Sequence, residues 1–188
     1  MREALIKPAA ISHNVGVLSQ MAQTPNLLIV VKANGYGHGA LIAARAALEG
    51  GANWLGTADI QEALALRAGG IESRVLAWLL GPTEDLSGAV EAGIDLGVAS
   101  LQQLQQVTSA VSGGSRAQIH LKVDTGLGRN GADPRDWEAL FQAAKDAQDS
   151  GTVNVVGVFT HLSGTSAHAD ADQGVVYDEA LSVLGSVG

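Results

Sequence analysis

Two hydrophobic patterns alternate along the chain. Short aliphatic runs bounded by glycine, proline or asparagine read as strands covered on both faces, as in parallel sheets. They fall at Leu27–Lys32, Trp54–Thr57, Arg74–Leu80, Asp95–Ala99, Gln118–Val123 and Val153–Phe159. Between them, apolar residues three and four apart predict helices over Pro8–Met21, Ala40–Glu49, Asp59–Arg67, Glu84–Glu91, Ser100–Val111, Pro134–Asp149 and Gln173–Leu184. Pro8 and Pro134 suit a first helical turn, and Ser100 and Asp133 suit N-caps. The strand ends, taken at Lys32, Thr57, Leu80, Ala99, Val123 and Thr160, lie 19 to 37 residues apart, the repeat of a βα unit in a parallel barrel or a doubly wound sheet. Six units are visible where a closed barrel takes eight and about 250 residues. The chain is therefore expected to be an open sheet or a barrel cut short, with no linker or internal repeat dividing residues 1–188.

Composition narrows the partners. With 46% hydrophobic and 16% charged residues in 188, a sizeable core is available. A net charge of −8 and scattered lysines and arginines argue against nucleic acid or an anionic membrane. There is no cysteine, hence no disulfide framework or thiolate metal site. The N-terminus lacks a signal-like apolar region, and no run approaches a membrane span, so a cytoplasmic protein is expected.

The chemistry begins at Lys32, which closes a run of five aliphatic residues and precedes a turn with glycines at 35, 37 and 39. Desolvation at such a strand end favours the neutral amine, the form that attacks a carbonyl. A lone strand-end lysine equally reads as one snorkelling to solvent. Tyr36 and His38 sit between the glycines, where they are displayed. A second constellation, I-H-L-K-V-D-T-G-L-G-R-N-G, sets Lys122 and Arg129 seven residues apart across another glycine-rich turn. Arg129 offers a permanently charged fork for a carboxylate, while Lys122 alone also reads as an inward lysine paired with Asp124. Gly126–Gly131 spells G-x-G-x-x-G, but it follows the fifth strand and its helix starts only near Pro134, which is the wrong context for a dinucleotide site. His161 lies just past the sixth strand. His168, Asp170 and Asp172 beyond it read as a solvated polar loop in preference to a metal cluster.

The segment V-K-A-N-G-Y-G-H-G resembles the pyridoxal-phosphate lysine motif of alanine racemases, and the Lys122–Arg129 turn and G-V-F-T-H-L at His161 resemble that family's next two motifs in order. The resemblance spans nearly the whole chain. It implies an α/β fold, a (β/α)8 TIM-type barrel incomplete here, and a reaction interconverting L- and D-alanine for cell-wall precursors. By that resemblance Lys32 holds pyridoxal phosphate and acts as one base, Tyr36 contacts the phosphate and Arg129 lies by the phenolic oxygen and the substrate carboxylate. Lys122, carbamylated, would support Arg129, and His161 would lie against the pyridine ring. The family is about twice as long, homodimeric, and takes its second acid/base, a tyrosine, from a C-terminal domain of the partner. Neither Tyr36 nor Tyr177 sits in a matching motif, so this chain looks like a fragment whose activity alone is doubtful. The alternatives are a fold-type-III amino-acid decarboxylase, which shares V-K-A-N, and a non-catalytic vitamin B6 carrier.

Overall fold

Proline is tolerated at a helix start because its missing N–H would have no partner there. In the computed structural model of the chain, which describes residues 2–188, Pro8 duly opens helix α1, Pro8–Ala22. The chain divides into two units, residues 1–79 and 80–188.

After α1 the first unit holds β1 (Leu28–Val30), the short turn α2 (Lys32–Tyr36), α3 (Ala40–Glu49), β2 (Trp54–Thr57), α4 (Ile60–Ala68) and β3 (Arg74–Ala77). β1 runs parallel to β2 with Ile29 opposite Leu55, and β2 runs parallel to β3 with Leu55 opposite Val75. The core combines small and branched residues: Ala43, Ala44, Ala46 and Ala47 from α3, with Leu55, Ile60, Leu66 and Val75, are all buried. Asp59 caps α4 by accepting from the Glu62 N–H at 2.8 Å. β1 is shorter and less covered than its aliphatic run predicts, since it is half-buried and ends at Val30. Val31 still donates to the Gly56 carbonyl, but its ψ of 22° turns the chain out of the extended region before Lys32. The run at Arg74–Leu80 likewise leaves the ladder at Ala77, and Leu79 N–H bonds the Ala58 carbonyl instead.

The second unit holds α5 (Ser87–Glu91), β4 (Asp95–Val98), α6 (Leu101–Ala110), β5 (Ala117–Lys122), α7 (Trp137–Asp149), β6 (Val153–Phe159) and α8 (Ala167–Val187). β4, β5 and β6 are parallel, with a register shift between Ile119 and His120. Ile119 and Leu121 on one face of β5, with Leu96, Val98, Leu140 and Phe141, belong to the buried core. Ser100 caps α6 by accepting from Gln103 N–H, and the Gln103 side chain accepts from Ala99 N–H, a reciprocal box. Three predicted helices change. Glu84 and its neighbours stay outside α5 because the Glu84 carboxylate folds back onto Gly81 N–H. Pro134–Asp136 forms a 3₁₀ turn capped by Asp133, ahead of α7. α8 starts at Ala167, not Gln173: Ser166 accepts from Ala169 N–H and fixes its first turn. His168, Asp170 and Asp172, expected in a loop, are thus helical, and His168 lies 3.6 Å from Asp172 one turn on. Among the described residues no helix is long and apolar enough to cross a membrane.

Candidate active site

The turn after Lys32 winds the wrong way for L residues. Ala33 (φ 51°, ψ 50°), Asn34 (54°, 46°) and Gly35 (64°, 38°) are left-handed, and Tyr36 follows at φ 53°. Each non-glycine residue there carries about 1–2 kcal/mol of steric cost, so the turn persists only because it is closed from several sides. Gly35 N–H bonds Val31 O, Gly37 N–H bonds Ala33 O, Gly39 N–H bonds Asn34 O, and the Asn34 side chain accepts from Ala40 N–H. Gly35 also answers a packing demand, since a Cβ there would come within 2.9 Å of the Ala43 methyl. The outcome is a half-buried Lys32 whose Nζ stands 5.8 Å from the centre of the Trp78 ring. Gly56 leaves room for that indole, which a Cβ would meet at 2.8 Å. Tyr36 is displayed as expected, at 59% exposure. His38 is exposed as well, with its Nδ1 2.9 Å from Gly35 O.

In the second unit the alternation of β5 sets Gln118, His120 and Lys122 on the face opposite Ile119 and Leu121. Lys122 is 5% exposed, with Nζ 5.6 Å from the Phe159 ring centre. The same ring meets His120 edge-on at 6.4 Å, and His120 Nε2 lies 2.9 Å from the buried Asp95 carboxylate. Asp124 does not serve as a simple counter-ion at the turn; its Oδ1 accepts from Gly126 and Gly128 N–H, which folds the glycine-rich turn carrying Arg129. Arg129 Nη1 donates to His161 Nε2 at 2.8 Å. A guanidinium offers no acceptor, so Nε2 accepts and a neutral ring keeps its proton on Nδ1. Thus Arg129 and His161 are brought together, while Lys122 is set deeper, on β5 itself.

Behind this pair lies a polar network that the sequence did not announce. Buried Gln173 of α8 donates to the Thr125 hydroxyl (2.9 Å) and the His161 carbonyl (3.1 Å) and accepts from Ser163 N–H (2.7 Å). Thr125 in turn meets the Thr160 hydroxyl, which donates to Val123 O. One amide therefore ties the Thr125 side chain after β5 to the backbone after β6. Tyr177, the other tyrosine, is committed elsewhere: its hydroxyl donates to Val158 O at 2.7 Å, and burial, with Asp178 nearby, pushes its pKa up, so it keeps its proton. The first unit therefore presents an amine on a rigid turn, suited to an aldehyde, and the second a guanidinium and imidazole, suited to an anionic oxygen.

The chain is similar to known proteins along almost its full length. Residues 6–183 match the family described as alanine racemase, N-terminal domain. The alanine racemase of Thermobifida fusca is 47% identical over 195 residues, covering 99% of this chain and 51% of that protein. That of Salinispora arenicola is 48% identical over 176 residues, 93% of this chain and 46% of that one. Among solved structures, alanine racemase from Streptomyces coelicolor superposes with a TM-score of 0.93 at 40% identity, covering 97% of this chain and 50% of its own. The enzyme from D-cycloserine-producing Streptomyces lavendulae gives 0.92 at 42% identity, covering 97% and 49%. The chain thus spans about half the length of the relatives it matches.

Proposed function

The chain belongs to the alanine racemase family, as the N-terminal domain of that enzyme, and on that premise we propose that its parent protein is a cytoplasmic, pyridoxal-phosphate-dependent homodimer that interconverts L- and D-alanine for cell-wall precursors. Its α/β architecture is that of the N-terminal barrel portion of these enzymes. The observation that carries the proposal is Lys32, a half-buried amine held at the end of a parallel strand by a left-handed turn. Each unit taken by itself offers a group suited to such a cofactor: the first the Lys32 amine for its aldehyde, the second the Arg129 guanidinium, held by His161, for an anionic oxygen.

Bound pyridoxal phosphate supplies an electron sink for the pair left behind when the substrate's α-proton departs. Lys32 would hold the group through Nζ. Freed by substrate, the same amine takes or returns the α-proton on one face. Arg129 pairs with the substrate carboxylate, and His161 orients Arg129 through Nε2. Tyr36, displayed on the turn, contacts the phosphate, and Lys122, carbamylated, pairs with Arg129. A second acid/base is needed on the opposite face. Tyr177, which holds its proton and bonds Val158 O, does not provide it; we assign that role to the partner subunit of the whole protein.

Borohydride reduction of the chain incubated with pyridoxal phosphate, followed by peptide mapping, tests the reading. The label is expected on Lys32. A label on Lys122 or Lys7 with Lys32 unmodified overturns it.

A further inference from the structure

Glu62 belongs to none of the three motifs, yet both of its carboxylate oxygens are engaged with backbone around Lys32. Oε2 accepts from Ala58 N–H at 3.0 Å, where the chain leaves β2. Oε1 accepts from Ala33 N–H, the residue next to Lys32 and the first of the left-handed turn. The other hydrogen bonds of Ala33–Gly39 run within residues 31–43, to its own backbone and to the first turn of α3 that follows it. Among the described residues, Glu62 supplies the hydrogen bond that reaches Ala33–Gly39 from outside that continuous segment. The Ala58 contact alone would complete a capping box with Asp59. The Ala33 contact goes beyond capping: a carboxylate accepting from a backbone amide makes a charge-assisted bond stronger than a neutral one, and here it fastens a strained turn to the start of α4.

We propose that Glu62 is a positioning residue for Lys32: its carboxylate pins the amide beside Lys32 to the β2–α4 junction and so fixes where the amine emerges. The proposal rests on Lys32 as the attachment point for the cofactor. It predicts a graded response. Glu62→Ala removes both acceptors. Glu62→Gln keeps one acceptor oxygen and turns an N–H₂ donor toward the second amide, so one of the two bonds is lost.

The test follows the full chain through two measurements, amide hydrogen exchange at Ala33 and Ala58 and the rate at which pyridoxal phosphate followed by borohydride labels Lys32. Gln103→Ala, which removes the equivalent acceptor at Ala99 on α6, controls for the loss of a capping box. In Glu62→Ala, Ala33 protection should vanish and Lys32 labelling slow by about 10²-fold, the size expected when a reacting group is misplaced by ~1 Å. Glu62→Gln should fall between parent and Ala variant, and Gln103→Ala should label as the parent does. If Glu62→Ala does not fold, Glu62→Gln decides. Unchanged Ala33 protection and labelling, with only Ala58 affected, would reduce Glu62 to a cap of α4 and overturn the proposal. If Lys32 takes no label even in the parent, the attachment reading fails, and Ala33 exchange still decides whether Glu62 braces the turn.

Discussion

The two units hold their reactive groups by opposite means. In the first, Lys32 is aimed by backbone: a left-handed turn, closed mostly by its own amides and carbonyls, leaves the lysine little choice of direction. In the second, Arg129 and His161 sit on two loops that side chains tie together. Gln173 bonds the Thr125 hydroxyl after β5 and the backbone after β6, Asp124 folds the turn, and Arg129 completes the contact to His161. Backbone strain fixes a position with few partners but tolerates almost no change of residue. A side-chain network tolerates change at its edges and fails when a buried member is removed.

The contrast can be broken from either side. The largest effect is expected beneath the second unit's site, where Asp95→Ala removes the carboxylate 2.9 Å from buried His120 and leaves a cavity in its place; urea unfolding should show a loss of about 3–4 kcal/mol, while Lys32 keeps its label in the folded protein. A loss near zero would mean that the pair is incidental. In the first unit, Gly35→Val combines a left-handed β-branched residue with a clash against Ala43, and should lower stability by about 2–4 kcal/mol. Here, unlike Asp95→Ala, Lys32 labelling should also suffer; equal labelling in the two variants would erase the distinction. Gln173→Leu leaves Ser163 N–H and the Thr125 hydroxyl without this partner and should lower stability by about 2 kcal/mol. Its specific signature is a shifted His161 ring resonance in NMR, which a purely local loss of packing would not produce. The smallest effect is acidic. Hydrogen bonds from Arg135 hold the Asp133 carboxylate down at about 2, against an ordinary 3.8. A depressed carboxylate stabilises the fold above its ordinary value, and that contribution disappears as pH falls from near 4 towards 2. Between those pH values the urea midpoint of the parent should fall more steeply than that of Asp133→Asn.

Much of this was legible in residue order. β2, β6 and α3 begin and end where their hydrophobic patterns do, and Ser100, Asp133 and Pro8 act at the helix starts their chemistry suits. These features are local, decided by a side chain and the amides within a few residues of it. The motifs at Lys32, Lys122–Arg129 and His161 were equally visible, because reactive side chains beside glycine-rich turns stand out in a linear text. Three things were not. Val31–Tyr36 reads as a strand end followed by a glycine-rich turn, and only packing against α3 and the Glu62 bond from α4 show it wound left-handed. Gln173 looked like one more polar residue near a helix start; its importance comes from bonding groups 10 to 48 residues away. Glu62 stood unremarked inside the helix expected over Asp59–Arg67, and one of its carboxylate oxygens serves as a cap. Its other oxygen meets Ala33, 29 residues earlier, only because parallel pairing of β1 with β2 carries the end of one strand beside the end of the next. Residue order marks which side chains carry reactive groups and where most of the strands and helices form. Tertiary structure decided the direction in which those residues point, since hydrogen bonds between distant backbone and side-chain groups exist only once the chain has folded.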